Sequence, residues 1–203
     1  MWQAIAPVTR TLIIINVVMY GVQQFTGTWT LEYLALWPWD STATAYSAPF
    51  EFWQLVTYGF LHDPNGLTHI FFNMFALFMF GSEIERSMGR SKYLSYYFTC
   101  VVGAAVAQML VMAWLSGPPA PTMGASGAVF GILLAFGVAY PHRRIVLLIP
   151  PIPMPAWLFV TLYGLLELML GVFGTQQGVA HFAHLGGMAA GFILILYWRH
   201  AHR

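Results

Sequence analysis

Six stretches of this sequence stay apolar over a length that crosses a bilayer, and nothing else in the chain constrains its fold as strongly. A spanning helix needs about 20 mostly apolar residues. The candidates run from about residue 12 to 28, 67 to 86, 92 to 116, 124 to 141, 154 to 173 and 178 to 197. The first is the weakest, because it contains Asn16, Gln23 and Gln24. No small-residue cleavage site follows it, so it reads as a retained span rather than a signal peptide. Charged residues make up only 7% of the chain, against roughly 25% in a soluble domain. No soluble packing hides that much apolar surface at this length, whereas a bilayer acts as its solvent. No basic stretch suits nucleic acid. The single cysteine, Cys100, cannot pair within the chain and offers no cysteine metal site. With no internal repeat, one domain over residues 1–203 is expected: an all-α, polytopic membrane bundle of six transmembrane helices.

The basic residues orient it. Arg10 precedes the first span; Arg86, Arg90 and Lys92 join the second and third; Arg143 and Arg144 join the fourth and fifth; Arg199 and Arg203 follow the sixth. With both termini cytoplasmic, all eight lie inside, as the positive-inside rule requires. The outer segment, residues 27–66, is too long for a turn. It mixes Trp29, Trp37, Trp39, Phe50, Phe52 and Trp53 with acidic residues. Aromatic rings with a polar edge favour the headgroup zone, so the segment is expected to lie partly helical in the outer interface. The connection from Ile149 to Pro155 is rich in proline and therefore stiff.

Polar groups inside a span are expensive and usually face the bundle interior. His69 and Asn73 lie in the second span, Ser126 in the fourth, and His181 and His184 in the sixth. These three helices share a direction, and each polar group lies in the outer half of its helix. The sequence thus gathers a serine, histidines and an amide in one layer. Ser126 follows the proline-rich loop Gly117 to Pro121, which allows its helix to begin below the membrane surface. Free N–H groups of that first turn could hold an oxyanion. Gly124 and Gly127 beside it allow close approach of another helix, although a serine in a small-residue seam is also a common packing device. His184 shares a face with Gly187 and Gly191, and a neutral imidazole there could take a serine proton. His181 is a weaker candidate for that role. His69 and Asn73, four apart, could donate together to an oxyanion.

The sequence lacks the His-Glu-x-x-His pattern of metalloproteases. A metal site from His69, His181 and His184 would leave Ser126 and the absent supporting carboxylates unexplained. No metal and no cofactor is expected. Glu167 is the only carboxylate well inside a span, and nothing in the sequence places it against His184. A bare Ser–His dyad is therefore expected, with packing standing in for the third member of a triad.

These residues resemble the rhomboid family of intramembrane serine proteases. The likeness runs through Phe52-Trp53-Gln54, His69-x-x-x-Asn73, Glu85-x-x-x-Gly89, Gly124-Ala125-Ser126-Gly127 and His184-x-x-Gly187-x-x-x-Gly191, in that order. The chain looks like the minimal bacterial form. The resemblance implies an integral protein of the bacterial inner membrane, with Ser126 as nucleophile, His184 as general base, and His69 and Asn73 at the oxyanion hole. It implies a water-filled cavity opening to the outer side. It also implies lateral access for transmembrane substrates past the fifth span and the loop from Gly174 to Gln177. Two positions depart from the family pattern: Gln54 replaces an arginine, which could loosen the outer segment, and Phe130 replaces a tyrosine that packs on the catalytic histidine. The alternatives are an inactive rhomboid-like protein that binds membrane helices, a small transporter and a scaffold. No inverted repeat supports a transporter.

Overall fold

Helix α1 (Pro7–Thr26) shows how the bundle is tied together. Proline at its start fixes φ and leaves no N–H unsatisfied. The next two N–H groups, of Val8 and Thr9, have no acceptor within the helix. They donate to the carboxylate of Glu85 at 3.0 and 2.7 Å, and the Thr9 hydroxyl donates to it at 2.9 Å. The Ala6 N–H donates to the Ser82 hydroxyl at 3.1 Å. A buried carboxylate thus sits at the positive end of the helix dipole and fastens α1 to another helix.

The computed structural model describes residues 5–42, 44, 47–114, 120–147, 150–173 and 180–201. Two short helices, α2 (Trp29–Leu34) and α3 (Gln54–Thr57), and a 3-10 turn at Tyr58–Phe60 follow α1. The second long helix comprises α4 (Leu67–Ala76), a π-helical turn at Leu77–Gly81 and α5 (Ser82–Met88). Then come α6 (Arg90–Trp114), α7 (Ser126–Ala139), α8 (Ala156–Phe173) and α9 (His181–Ala201). Each expected span coincides with a helix. Among the described residues, four are long and apolar enough to cross a membrane: Leu67–Met88, α6, α8 and α9. Helix α7 is apolar but shorter, and α1 carries buried Asn16 and Gln23. The chain is an integral membrane protein built from helices.

One element departs from the all-α expectation. Strands β1 (Arg144–Val146) and β2 (Pro153–Pro155) form an antiparallel ribbon between α7 and α8, with Arg144 opposite Pro155. Proline is tolerated there because a two-stranded ribbon has free edges that need no N–H. The stiff connection is therefore a hairpin; its residues 148 and 149 lie outside the described part.

Helix α9 packs mainly against α6 and α7. A Cβ on Gly187 would fall 2.0 Å from the Gly127 carbonyl oxygen, so the two backbones touch and no side chain fits between them. At Gly191 a Cβ would meet the Tyr96 hydroxyl, which itself donates to the Gly131 carbonyl at 2.7 Å. This contact sets α7 and α9 side by side at a fixed height.

Among the described residues, basic side chains gather at one end of the bundle. The start of α1 meets Glu85, Arg143 pairs with Glu83, and Lys92 lies 5.8 Å over the Trp198 ring near the end of α9. At the other end the outer segment is bound to α1. His62 N–H donates to Gln23 Oε1 at 2.9 Å, Gln23 Nε2 returns a bond to the His62 carbonyl, and the His62 ring meets Asn16 Oδ1 at 3.0 Å. Two of the three polar residues that weaken α1 as a span, Asn16 and Gln23, are thus its attachments. Gln54, fully buried, accepts from the Trp37 N–H and donates to the Pro49 carbonyl. The loosening expected from the missing arginine is thus offset by an amide that ties the segment from within. Trp29, Trp39, Phe52 and Trp53 remain at least half exposed on the same segment.

Candidate active site

Helix α7 begins at Ser126, so this side chain projects from a first turn whose N–H groups lack helical acceptors. The chain before it is pinned. Leu36 and Thr122 exchange two backbone hydrogen bonds of 2.9 Å, and the Gly124 N–H donates to the Tyr58 carbonyl at 3.0 Å. Gly124 has φ +132°, a conformation open to glycine, and a Cβ there would lie 2.9 Å from His69 Nε2. Glycine therefore allows the His69 ring to reach the start of α7. Of the proline-rich loop expected before Ser126, Gly117, Pro118 and Pro119 lie outside the described residues.

Ser126 Oγ lies 2.8 Å from His184 Nε2. The structure brings these two together through the Gly127–Gly187 contact. The Phe130 ring, one turn along α7, stacks on the His184 imidazole at 4.3 Å between centroids and 6° between planes. Tyr163 of α8 stacks on the other side of Phe130 at 5.1 Å. The hydroxyl absent at position 130 leaves the ring packing in place.

His69 Nδ1 accepts from the Asp63 N–H at 3.1 Å. In the neutral ring the proton then sits on Nε2, the atom facing Gly124. Asn73 donates back to the His69 carbonyl at 2.9 Å, and its buried Oδ1 has no partner. Both residues, with Ser126 and His184, line a cavity of about 910 Å³ that also includes Phe130 and Tyr163.

The expectation that no carboxylate orients His184 needs correction. Glu167 Oε2, from α8, lies 2.7 Å from His184 Nδ1 and also 2.7 Å from His181 Nδ1. All three side chains are buried. Glu167 precedes the histidines by 14 and 17 residues on the neighbouring helix, so only the rotation of α8 against α9 reveals the contact. The one available signal was the isolated carboxylate itself, since a charge in a span needs a partner. The donor atoms of Glu167, His181 and His184 lie within 4.8 Å of one another, a set that could hold a metal ion. Ligands around a zinc ion at about 2.1 Å in tetrahedral geometry stand over 3 Å apart, so the 2.7 Å separations are those of N–H donors on a carboxylate. His69 contributes no atom to this group.

The family model of the Rhomboid domain matches residues 49–201. The chain belongs to the rhomboid family. It is 29% identical over 192 residues to Rhomboid protein 1, mitochondrial, of Saccharomyces cerevisiae, covering 88% of this chain and 49% of that protein. It is 28% identical over 209 residues to Rhomboid protease GlpG of Photorhabdus laumondii, covering 99% and 66%. It is 29% identical over 161 residues to Putative rhomboid protease YdcA of Bacillus subtilis, covering 77% and 73%. The chain thus spans about half to two thirds of the length of the first two of these rhomboid relatives.

Proposed function

We propose that this rhomboid chain is an intramembrane serine endopeptidase that cuts transmembrane segments of other membrane proteins. The observation that carries the reading is the 2.8 Å contact between Ser126 Oγ and His184 Nε2, made inside a cavity within a membrane bundle. His184 takes the Ser126 proton as Oγ attacks a peptide carbonyl carbon. The resulting oxyanion accepts from the first-turn N–H of α7 and from His69 Nε2, with Asn73 alongside. The C–N bond breaks, the amine leaves with the proton from His184, and an ester to Ser126 remains. Water, deprotonated by the same imidazole, then releases the acid and restores the hydroxyl.

Six spans with both termini cytoplasmic accompany this reading, with 1–203 acting as one membrane domain. The clustering of basic residues at the far end of the bundle supports a cavity opening to the outer side, in a bacterial-type inner membrane. Helix α8 is the most lightly buried of the four long apolar helices, which supports lateral access past it. The loop 174–177 assigned to the same gate lies outside the described residues. A peptide bond in an intact helix is shielded, so favoured substrates carry Gly, Pro or polar residues near the outer end of a span.

The test is cleavage of a transmembrane substrate by purified protein in detergent. Wild type is expected to cut a Gly-containing span faster than a poly-Leu span. Ser126→Ala and His184→Ala should be inert, while His200→Ala, exposed on α9, stays active. A wild type that neither cuts nor reacts with a fluorophosphonate points instead to a rhomboid-like protein that binds helices without cutting them.

A further inference from the structure

We propose that Glu167 is a positioning residue that completes a Ser126–His184–Glu167 relay, with His181 holding the carboxylate in place. The inference rests on the reading of Ser126 and His184 as the reacting pair. His184 has two ring nitrogens with two partners on opposite sides: Glu167 Oε2 at Nδ1 and Ser126 Oγ at Nε2, at 2.7 and 2.8 Å. A carboxylate oxygen only accepts, so the neutral ring carries its proton on Nδ1. Nε2 is then a lone pair facing the serine hydroxyl, the tautomer that proton abstraction requires. When His184 gains the serine proton, the imidazolium forms directly beside the carboxylate, and no net charge is created within the buried group.

His181 supports this arrangement from the other side. Its Nδ1–H donates to the same Glu167 oxygen at 2.7 Å, while its buried Nε2 has no partner. Two donors converging on one oxygen fix the carboxylate in both position and direction. His181 lies 6.3 Å from the His184 ring with its plane at 88°, so it does not compete for Ser126. Among the described residues, the titratable groups that share this cavity wall with His184 are Glu167 and Tyr163 from α8, His181 from α9, His69 from α4 and Asp63 just before it. Because α8 carries Glu167, the helix beside the proposed lateral access also holds the histidine.

Glu167→Gln, Glu167→Ala, Glu167→Asp, His181→Ala and Ser126→Ala are compared in the purified full chain. Three quantities are read: fluorophosphonate labelling of Ser126, kcat and KM on the Gly-containing substrate, and melting temperature. Glu167→Gln and Glu167→Ala are expected to lower labelling rate and kcat roughly 10²- to 10⁴-fold, with KM nearly unchanged, as loss of an orienting carboxylate does elsewhere. Glu167→Asp should regain part of the rate, and His181→Ala should lose several-fold. The isosteric Gln variant, whose melting should match wild type, keeps the test decisive if the Ala variant does not fold. Wild-type labelling and kcat in both variants, with Ser126→Ala inert, would overturn the relay and leave the dyad standing alone. A fall in melting temperature parallel to activity in Glu167→Gln would mark a structural role and also overturn it. So would wild-type activity abolished by a chelator and restored by zinc. If wild type itself is as inert as Ser126→Ala, the protease reading fails and the relay fails with it.

Discussion

The ring proton of His62, in the outer segment, is held in place by a neighbouring amide. Asn16 Nδ2 is committed to the Leu12 carbonyl, so Asn16 Oδ1 accepts from His62 Nε2, and His62 Nδ1 is left bare and buried. Burial, and then the neighbouring His69, hold its pKa down at about 3. Unfolded histidine binds a proton below about pH 6.5, so between 6.5 and 3 the unfolded chain holds a proton that the folded chain excludes. Stability is therefore full above 6.5 and falls as the pH drops through that window. Melting in detergent at pH 8, 6 and 5 should show this decline, and His62→Gln should melt lower at pH 8 but lose less on acidification. Equal acid sensitivity in the two proteins would remove His62 as its cause. Ser126, His184, His69 and Asn73 could be singled out in the sequence because each sits in a short local pattern on an apolar stretch whose direction the basic residues predict. Glu167 was not, because the face a helix shows its neighbour depends on packing that no local pattern encodes.

At the scale of elements, a helix at each expected span could be read from apolar length, although among the described residues four of them are long and apolar enough to cross a membrane. The partly helical character of the outer segment was expected and α2 and α3 bear it out, but their bounds and the β-ribbon could not be read, since elements this short are defined by tertiary partners rather than by periodicity. The join between α1 and α5 is the element contact with the sharpest consequence. Glu85 receives three hydrogen bonds at the buried start of α1. Glu85→Ala leaves the Val8 and Thr9 N–H groups without acceptors. Its cost should be roughly 2–3 kcal/mol, the usual range for charged hydrogen bonds lost at a buried helix start. A clear fall in melting temperature is expected, with Ser126 labelling per folded molecule retained. An unchanged melting temperature would show that α1 is held by its apolar contacts alone.

At the scale of the whole molecule, the bundle has a basic end and an aromatic, cavity-bearing end. The sole thiol, Cys100, is buried, so cysteines introduced elsewhere report without background. Cysteine at exposed Ile152, just before β2, should react with a membrane-impermeant maleimide only after cells are opened. Cysteine at exposed Asp40 should react in intact cells. The reverse pattern would invert the proposed topology and place the cavity on the cytoplasmic side.

Helix α7 also works as a ruler. Its 14 residues rise about 21 Å, against a hydrocarbon core of about 30 Å. If its lower end, beside the Arg143–Arg144 connection, rests at the inner boundary, Ser126 stands about 9 Å beneath the outer one. A substrate strand drawn out at about 3.3 Å per residue reaches that depth in about three residues. On the proposed function, where a segment is cut would then be counted down from the water surface, and its chemistry near that depth would matter more than the identity of any one residue.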